Sequence, residues 1–96
     1  MALEHIIWLR PHAETTAEHL DELIDELKAL KGEVPGILQV SGGRNLTDRA
    51  NGCSHGIIVT LENMAALEPY LTHPSHQVVG GRLREAAELL VMDFEV

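Results

Sequence analysis

The stretch Leu3-Glu4-His5-Ile6-Ile7-Trp8-Leu9 decides the fold. It is rich in β-formers, and its alternate residues fall into two sets: Leu3, His5, Ile7 and Leu9 share one face, while Glu4, Ile6, Trp8 and Arg10 share the other. Both faces carry apolar side chains. A strand whose second face met water would alternate cleanly with polar residues, so this one needs cover on both sides. The apolar run ends at Arg10-Pro11, far short of the roughly 20 residues of a membrane span. Glu4 stands where a secretory leader would carry positive charge, so no leader is expected.

Downstream, Thr15 followed by Glu18 matches a capping box, and Leu20, Leu23, Ile24, Leu27 and Leu30 recur at helical spacing. Lys28 and Lys31 complement the dipole of that helix, and Gly32 suits its C-terminal cap. The acidic set Glu18, Asp21, Glu22, Asp25 and Glu26 reads as its solvated face. After Pro35-Gly36, a second strand is expected from Ile37 to Arg44, a polar turn from Asn45 to Gly52, and a third strand from Cys53 to Glu62. Asn63 is a candidate cap for a short helix through Leu71, with Pro69 expected to distort it. Pro74 suits the first turn of another helix through Glu88, weakened in its middle by Gly80-Gly81. Leu89 to Val96 alternates again and reads as a fourth strand.

The order βαββαβ, with the second helical region split, is the ferredoxin-like α+β pattern: one four-stranded antiparallel sheet with helices on one face. At 96 residues the chain is a single domain, spanning 1–96 without linker or repeat. A domain of that size with a bare apolar sheet face is under-buried. A homodimer follows, in which two sheets pack face to face into an α/β barrel.

Composition narrows the partners. Seven Lys and Arg against 15 Asp and Glu give a net charge of −8, the wrong sign for a nucleic acid or an anionic membrane, so neither is expected. The single cysteine, Cys53, makes no internal disulfide, and a cytoplasmic location is expected. One Trp, one Tyr and one Phe leave the core to Leu, Ile, Val and Ala. Against that plain background, six histidines stand out.

Histidine titrates near neutrality and both takes and gives protons, so its placement matters. With the first and third strands taken as parallel neighbours, His5 and His55 would lie side by side, and the helix after the third strand would return Tyr70, His73 and His76 to the same end. Four histidines and the only tyrosine would then meet in one pocket, while His12 and His19 stay on the surface. The plainer alternatives are satisfied core histidines at 5 and 55 and a helix start at His73-Pro74-Ser75-His76 with His73 as a poor cap. A metal held by His73 and His76 ranks below these, because Pro74 favours capping and no carboxylate converges on them, so no metal is expected. Gly42-Gly43-Arg44-Asn45 lacks the ending of a phosphate loop, and Cys53 beside His55 is better read as a small buried residue than as a nucleophile.

Several stretches together resemble the stress-responsive A/B barrel (Dabb) family: His5-Ile6-Ile7, Leu30-Lys31-Gly32 before Val34-Pro35-Gly36-Ile37, Gly43-Arg44-Asn45-Leu46, Tyr70-Leu71-Thr72-His73-Pro74-Ser75-His76 and Val91-Met92-Asp93-Phe94. The likeness spans the whole chain, and the Tyr70-to-His76 stretch is its most specific part. It implies a dimeric α+β barrel that binds a small organic ligand. One branch of the family closes linear polyketides by aldol chemistry without a cofactor. By that likeness His76 is the general base, Tyr70 holds or protonates the carbonyl oxygen, and His5, His55 and His73 line the pocket. The resemblance implies no cofactor. A cofactorless monooxygenase and a non-catalytic structural oligomer are the remaining readings. Pro69, Cys53 and the scarcity of aromatic residues depart from the family pattern.

Overall fold

Strand β1 runs from Leu3 to Pro11, two residues beyond the apolar stretch that identifies it. In the computed structural model, which describes residues 1–96, it is followed by helix α1 (Ala17–Ala29), β2 (Ile37–Arg44), β3 (His55–Leu61), α2 (Leu67–Thr72), α3 (Pro74–Ala86) and β4 (Ala87–Glu95). Short 3-10 turns at Leu30–Gly32 and Met64–Ala66 close α1 and open α2. The fold is ferredoxin-like α+β with an open four-stranded sheet and three helices.

The helix starts follow local chemistry. Thr16, one residue later than the expected Thr15, caps α1 by accepting the His19 N–H at 3.1 Å. Thr15 instead donates its hydroxyl proton to the Ala86 carbonyl at 2.6 Å and ties α1 to the end of α3. Asn63 caps the Met64–Ala66 turn as expected, accepting the Ala66 N–H at 3.1 Å. Pro69 falls in the first turn of α2, where its missing N–H would have no partner within that helix, and the helical region here is split between the Met64–Ala66 turn and the six-residue α2. His73 is a working cap: its Nδ1 accepts the Ser75 N–H at 3.1 Å, with Pro74 at the first position of α3. β4 begins at Ala87, two residues before the expected Leu89, because α3 ends at Ala86.

The sheet order is β2-β3-β1-β4, and every neighbouring pair is antiparallel. The expectation that β1 and β3 run parallel is therefore wrong. The α1 crossover makes β1 and β2 point the same way; the β2–β3 hairpin then reverses the chain, so β3 must oppose β1. The register sets Leu9 opposite His55 and His5 opposite Val59. The two histidines are four residues apart along the sheet, or about 13 Å at the rise of an antiparallel strand.

The core lies between one sheet face and the helices. Leu20, Leu23, Ile24 and Leu27 of α1 meet Leu3, Ile7 and Leu9 of β1 and Ile57, Val59 and Leu61 of β3, all buried. Each such side chain contributes about 1.5 to 3 kcal/mol of transfer free energy. The other sheet face is bare, and on it Trp8, Ile58, Leu90, Met92 and Phe94 are all substantially exposed. That is the two-faced apolarity read from the first strand, now seen across three strands. No helix is long and apolar enough to cross a membrane.

Candidate functional site

Three of the five residues singled out in the sequence come together. His5 projects from β1 on the helix side, Tyr70 from α2, and His76 from the first turns of α3; all three are buried. The Tyr70 ring packs against His76 with centroids 4.4 Å apart and edge-on to His5 at 5.7 Å. It sits between the two imidazoles.

Hydrogen bonds fix which nitrogens are free. His76 Nδ1 lies 3.1 Å from the Leu71 carbonyl, which only accepts, so Nδ1 carries the proton and Nε2 keeps its lone pair in the neutral ring. Burial lowers the pKa of His76 below the usual histidine value; the Leu71 carbonyl opposes this and the nearby His5, Arg84 and His73 add to it. The ring is neutral at pH 7. His5 Nδ1 is 2.5 Å from Asp93 Oδ1, a bond between residues that face each other across β1 and β4. With Nδ1 committed to the Asp93 side chain, His5 Nε2 is the second available nitrogen. Burial alone raises the Tyr70 pKa well above the usual phenol value, so its hydroxyl stays protonated and able to donate.

Gly80 gives His76 its room. One turn along α3, an added Cβ there would stand 3.3 Å from His76 Cε1 and 3.7 Å from Nε2. The imidazole lies across the bare helix backbone at that point.

The other two residues lie elsewhere. His73 uses its ring to cap α3, next to the cluster but engaged with its own backbone. His55, expected beside His5, sits at the far end of β3, where its Nε2 is 2.9 Å from Asp21 Oδ1 and its Nδ1 is 2.7 Å from the Ser54 hydroxyl. The antiparallel sheet separates it from the other three. Asp93 is the residue that sequence reasoning missed; pairing β4 against β1 by their alternation would have set it opposite His5.

The cluster is nearly covered: His5, Tyr70 and His76 are each less than a tenth exposed. Five surface clefts of about 340 to 530 Å³ lie elsewhere, and none is lined by His5, Tyr70 or His76. At the β4 edge the helix layer ends, and the Asp93 side chain is 31% exposed while bonding a His5 that is only 6% exposed. That edge is where the buried imidazole connects with solvent.

The family model described as "Stress responsive A/B Barrel Domain" matches residues 3–96. Olivetolic acid cyclase of Cannabis sativa is 29% identical over 97 residues, covering 98% of this chain and 96% of the cyclase. Among solved structures, a dimeric ferredoxin-like protein of unknown function from Jannaschia sp. CCS1 is 30% identical, with full coverage of both chains and a TM-score of 0.87. Hydroxynitrile lyase from Passiflora edulis shares the fold at 19% identity, covering 99% of this chain and 93% of the lyase with a TM-score of 0.88.

Proposed function

The chain belongs to the stress-responsive A/B barrel (Dabb) family, and on that premise we propose that it is a homodimer that binds a small organic carbonyl compound at His5, Tyr70 and His76 and acts on it by acid–base chemistry. The observation that carries this reading is the Tyr70 ring packed 4.4 Å from a His76 whose Nδ1 is committed to the Leu71 carbonyl. A neutral imidazole with a free Nε2 beside a protonated phenol is a base and a hydrogen-bond donor in one place.

In the proton-abstraction reaction, His76 Nε2 takes a proton from the carbon next to a carbonyl. Electron density moves onto the carbonyl oxygen, which accepts a hydrogen bond from the Tyr70 hydroxyl. The enolate carbon then attacks a second carbonyl of the same chain, forming the new carbon–carbon bond, and the proton on His76 returns to the resulting alkoxide. No cofactor enters these steps. His5, held by Asp93, orients the carbonyl compound from the β1 side. Because the cluster is nearly covered, entry requires the short α2 or the β4 edge to yield. The identity to olivetolic acid cyclase supports a polyketide-type substrate class.

Pairing two copies through the bare sheet face would cover Trp8, Ile58, Leu90, Met92 and Phe94. The dimeric state of the Jannaschia protein supports that arrangement. A net charge of −8 disfavours nucleic acid and anionic membranes as partners, and the lone buried Cys53 fits a reducing cytoplasm. The test is turnover of a linear poly-β-keto substrate by the protein and by His76→Ala. Loss of turnover with the far-UV spectrum retained is expected; an unchanged rate removes the mechanism. A second reading, a non-catalytic oligomer, draws on the burial of the cluster. It predicts that no keto or phenolic compound shifts the Tyr70 or His76 resonances.

A further inference from the structure

The opposite end of β3 holds a second constellation that the proton-abstraction chemistry does not use. We propose that Ser54, His55 and Asp21 form a nucleophile, a general base and an orienting carboxylate for the hydrolysis of small carboxylic esters.

The bonding pattern leaves one assignment of protons. Asp21 is paired by Arg44 through Nε and Nη2, at 3.1 and 2.7 Å from its Oδ2, and accepts from His55 Nε2 at 2.9 Å through Oδ1. The Arg44 bonds, with His55 second, hold the Asp21 carboxyl down to about 2, so it is ionised and only accepts. His55 Nε2 therefore carries the ring proton, and Nδ1 presents its lone pair to the Ser54 hydroxyl 2.7 Å away, which donates to it. The imidazole is 1% exposed, and in the resting site its Nδ1 is engaged by the Ser54 hydroxyl. Hydroxyl, base and carboxylate stand in the order that activates a serine.

Ser54 and His55 line a cleft of about 410 Å³ together with Asn45, Thr47 and Gly52, a size that suits a small ester. The Asn51-Gly52 turn, with φ of 57° and 88°, folds the chain back so that Cys53 N–H reaches the Ala50 carbonyl and delivers Ser54 to the cleft wall. Asn45 Nδ2 gives one proton to the Cys53 carbonyl at 3.1 Å and keeps a second for a developing oxyanion.

In the reaction, Ser54 Oγ bonds to the ester carbon as its proton passes to His55 Nδ1. The carbon–oxygen bond to the alcohol breaks, and the alcohol leaves with that proton. Water, deprotonated by the same nitrogen, then hydrolyses the acyl-Ser54 and restores the hydroxyl. Asp21 is a positioning residue: it holds the imidazole tautomer and balances the imidazolium.

The probes are a fluorophosphonate and p-nitrophenyl acetate, applied to the full chain. Digestion and mass spectrometry should place the phosphonyl adduct on Ser54. Ester hydrolysis should fall to the buffer rate in Ser54→Ala and persist in His12→Gln, which controls for catalysis by surface imidazoles. Ser54→Cys should alkylate with iodoacetamide at mildly acidic pH faster than free cysteine, because His55 Nδ1 draws off the thiol proton. Absence of the adduct, wild-type hydrolysis by Ser54→Ala, or ordinary alkylation of Ser54→Cys overturns the proposal. All three readouts are independent of His76 and Tyr70.

Discussion

Gly80 and Gly81 are adjacent in α3, yet replacing each by alanine should have different consequences. In a helix interior, Gly→Ala gains about 1 kcal/mol through the lower backbone entropy of the unfolded chain and the better propensity of alanine. At Gly81 an added Cβ meets nothing within 4 Å, so that variant should show the whole gain, raising Tm by about 4 to 8 °C for a domain of this size. At Gly80 the same methyl stands 3.3 Å from His76 Cε1, closer than ordinary contact, and 3.7 Å from Nε2 and from Arg84 Nη1. The arginine end moves aside freely. The imidazole does not, because Nδ1 is held by the Leu71 carbonyl at 3.1 Å and its face packs on Tyr70. Pushing it off its rotamer costs about 0.5 to 1.5 kcal/mol. Gly80→Ala should thus be nearly neutral, and its shortfall against Gly81→Ala measures the cost of displacing His76. Thermal and urea denaturation of both variants, with the His76 Cε1–H resonance followed in parallel, make the assay. If Gly80→Ala stabilises as much as Gly81→Ala and leaves that resonance unmoved, the packing argument fails.

Three further outcomes are expected. Because burial lowers the His76 pKa, the folded protein holds fewer protons than the unfolded chain in mild acid; this stabilisation is complete above the ordinary value of 6.5 and declines as pH falls toward the folded value. Urea titrations between about pH 5 and 7 should therefore show a flatter pH dependence in His76→Gln than in the parent, and equal slopes would contradict the assignment. Asp93→Asn replaces a charged acceptor of the His5 Nδ1–H by a neutral one; it should cost about 1 kcal/mol and move the Nδ1 proton resonance upfield, and an unchanged resonance would show that the carboxylate does not set the tautomer. Trp8→Glu places a charge in the middle of the bare sheet face beside Ile6, Leu90 and Met92, so sedimentation should report a monomer; a persistent dimer would move the interface elsewhere.

The elements were legible because each carries its own period. Leu20, Leu23, Ile24 and Leu27 could only make one face of a helix, and Leu3, Ile7 and Leu9 only one face of a strand. Strand direction was equally implied by the connections, since a crossover helix followed by a hairpin forces β3 to oppose β1. Treating the two as parallel misplaced His55 by the length of four residues. Tyr70 and His76 were legible from the helical stretch between β3 and β4, which brings them over the sheet. Asp93 was not, because a carboxylate at the end of an edge strand resembles any solvated residue until the register sets it opposite His5. The near-complete burial of the cluster was beyond pattern reading altogether, because it depends on how side chains fill space rather than on their order.

The antiparallel register also gives the histidine excess its meaning. His5 and His55 project from the same buried sheet face, yet each pairs with a carboxylate from a different neighbour: Asp93 on the edge strand β4 and Asp21 on α1. A buried imidazole N–H is costly without an acceptor, so each of the two needs its own carboxylate. That requirement builds two chemically distinct ends into one small sheet. At one end the imidazole faces a phenol and a second imidazole; at the other it faces a hydroxyl beside an open cleft. The first end is nearly covered and needs movement to admit a ligand, whereas the second borders an open cleft. An activity requiring no conformational change should therefore appear at Ser54, and one limited by opening at His76. A rate that responds to solvent viscosity at only the second of these would separate them.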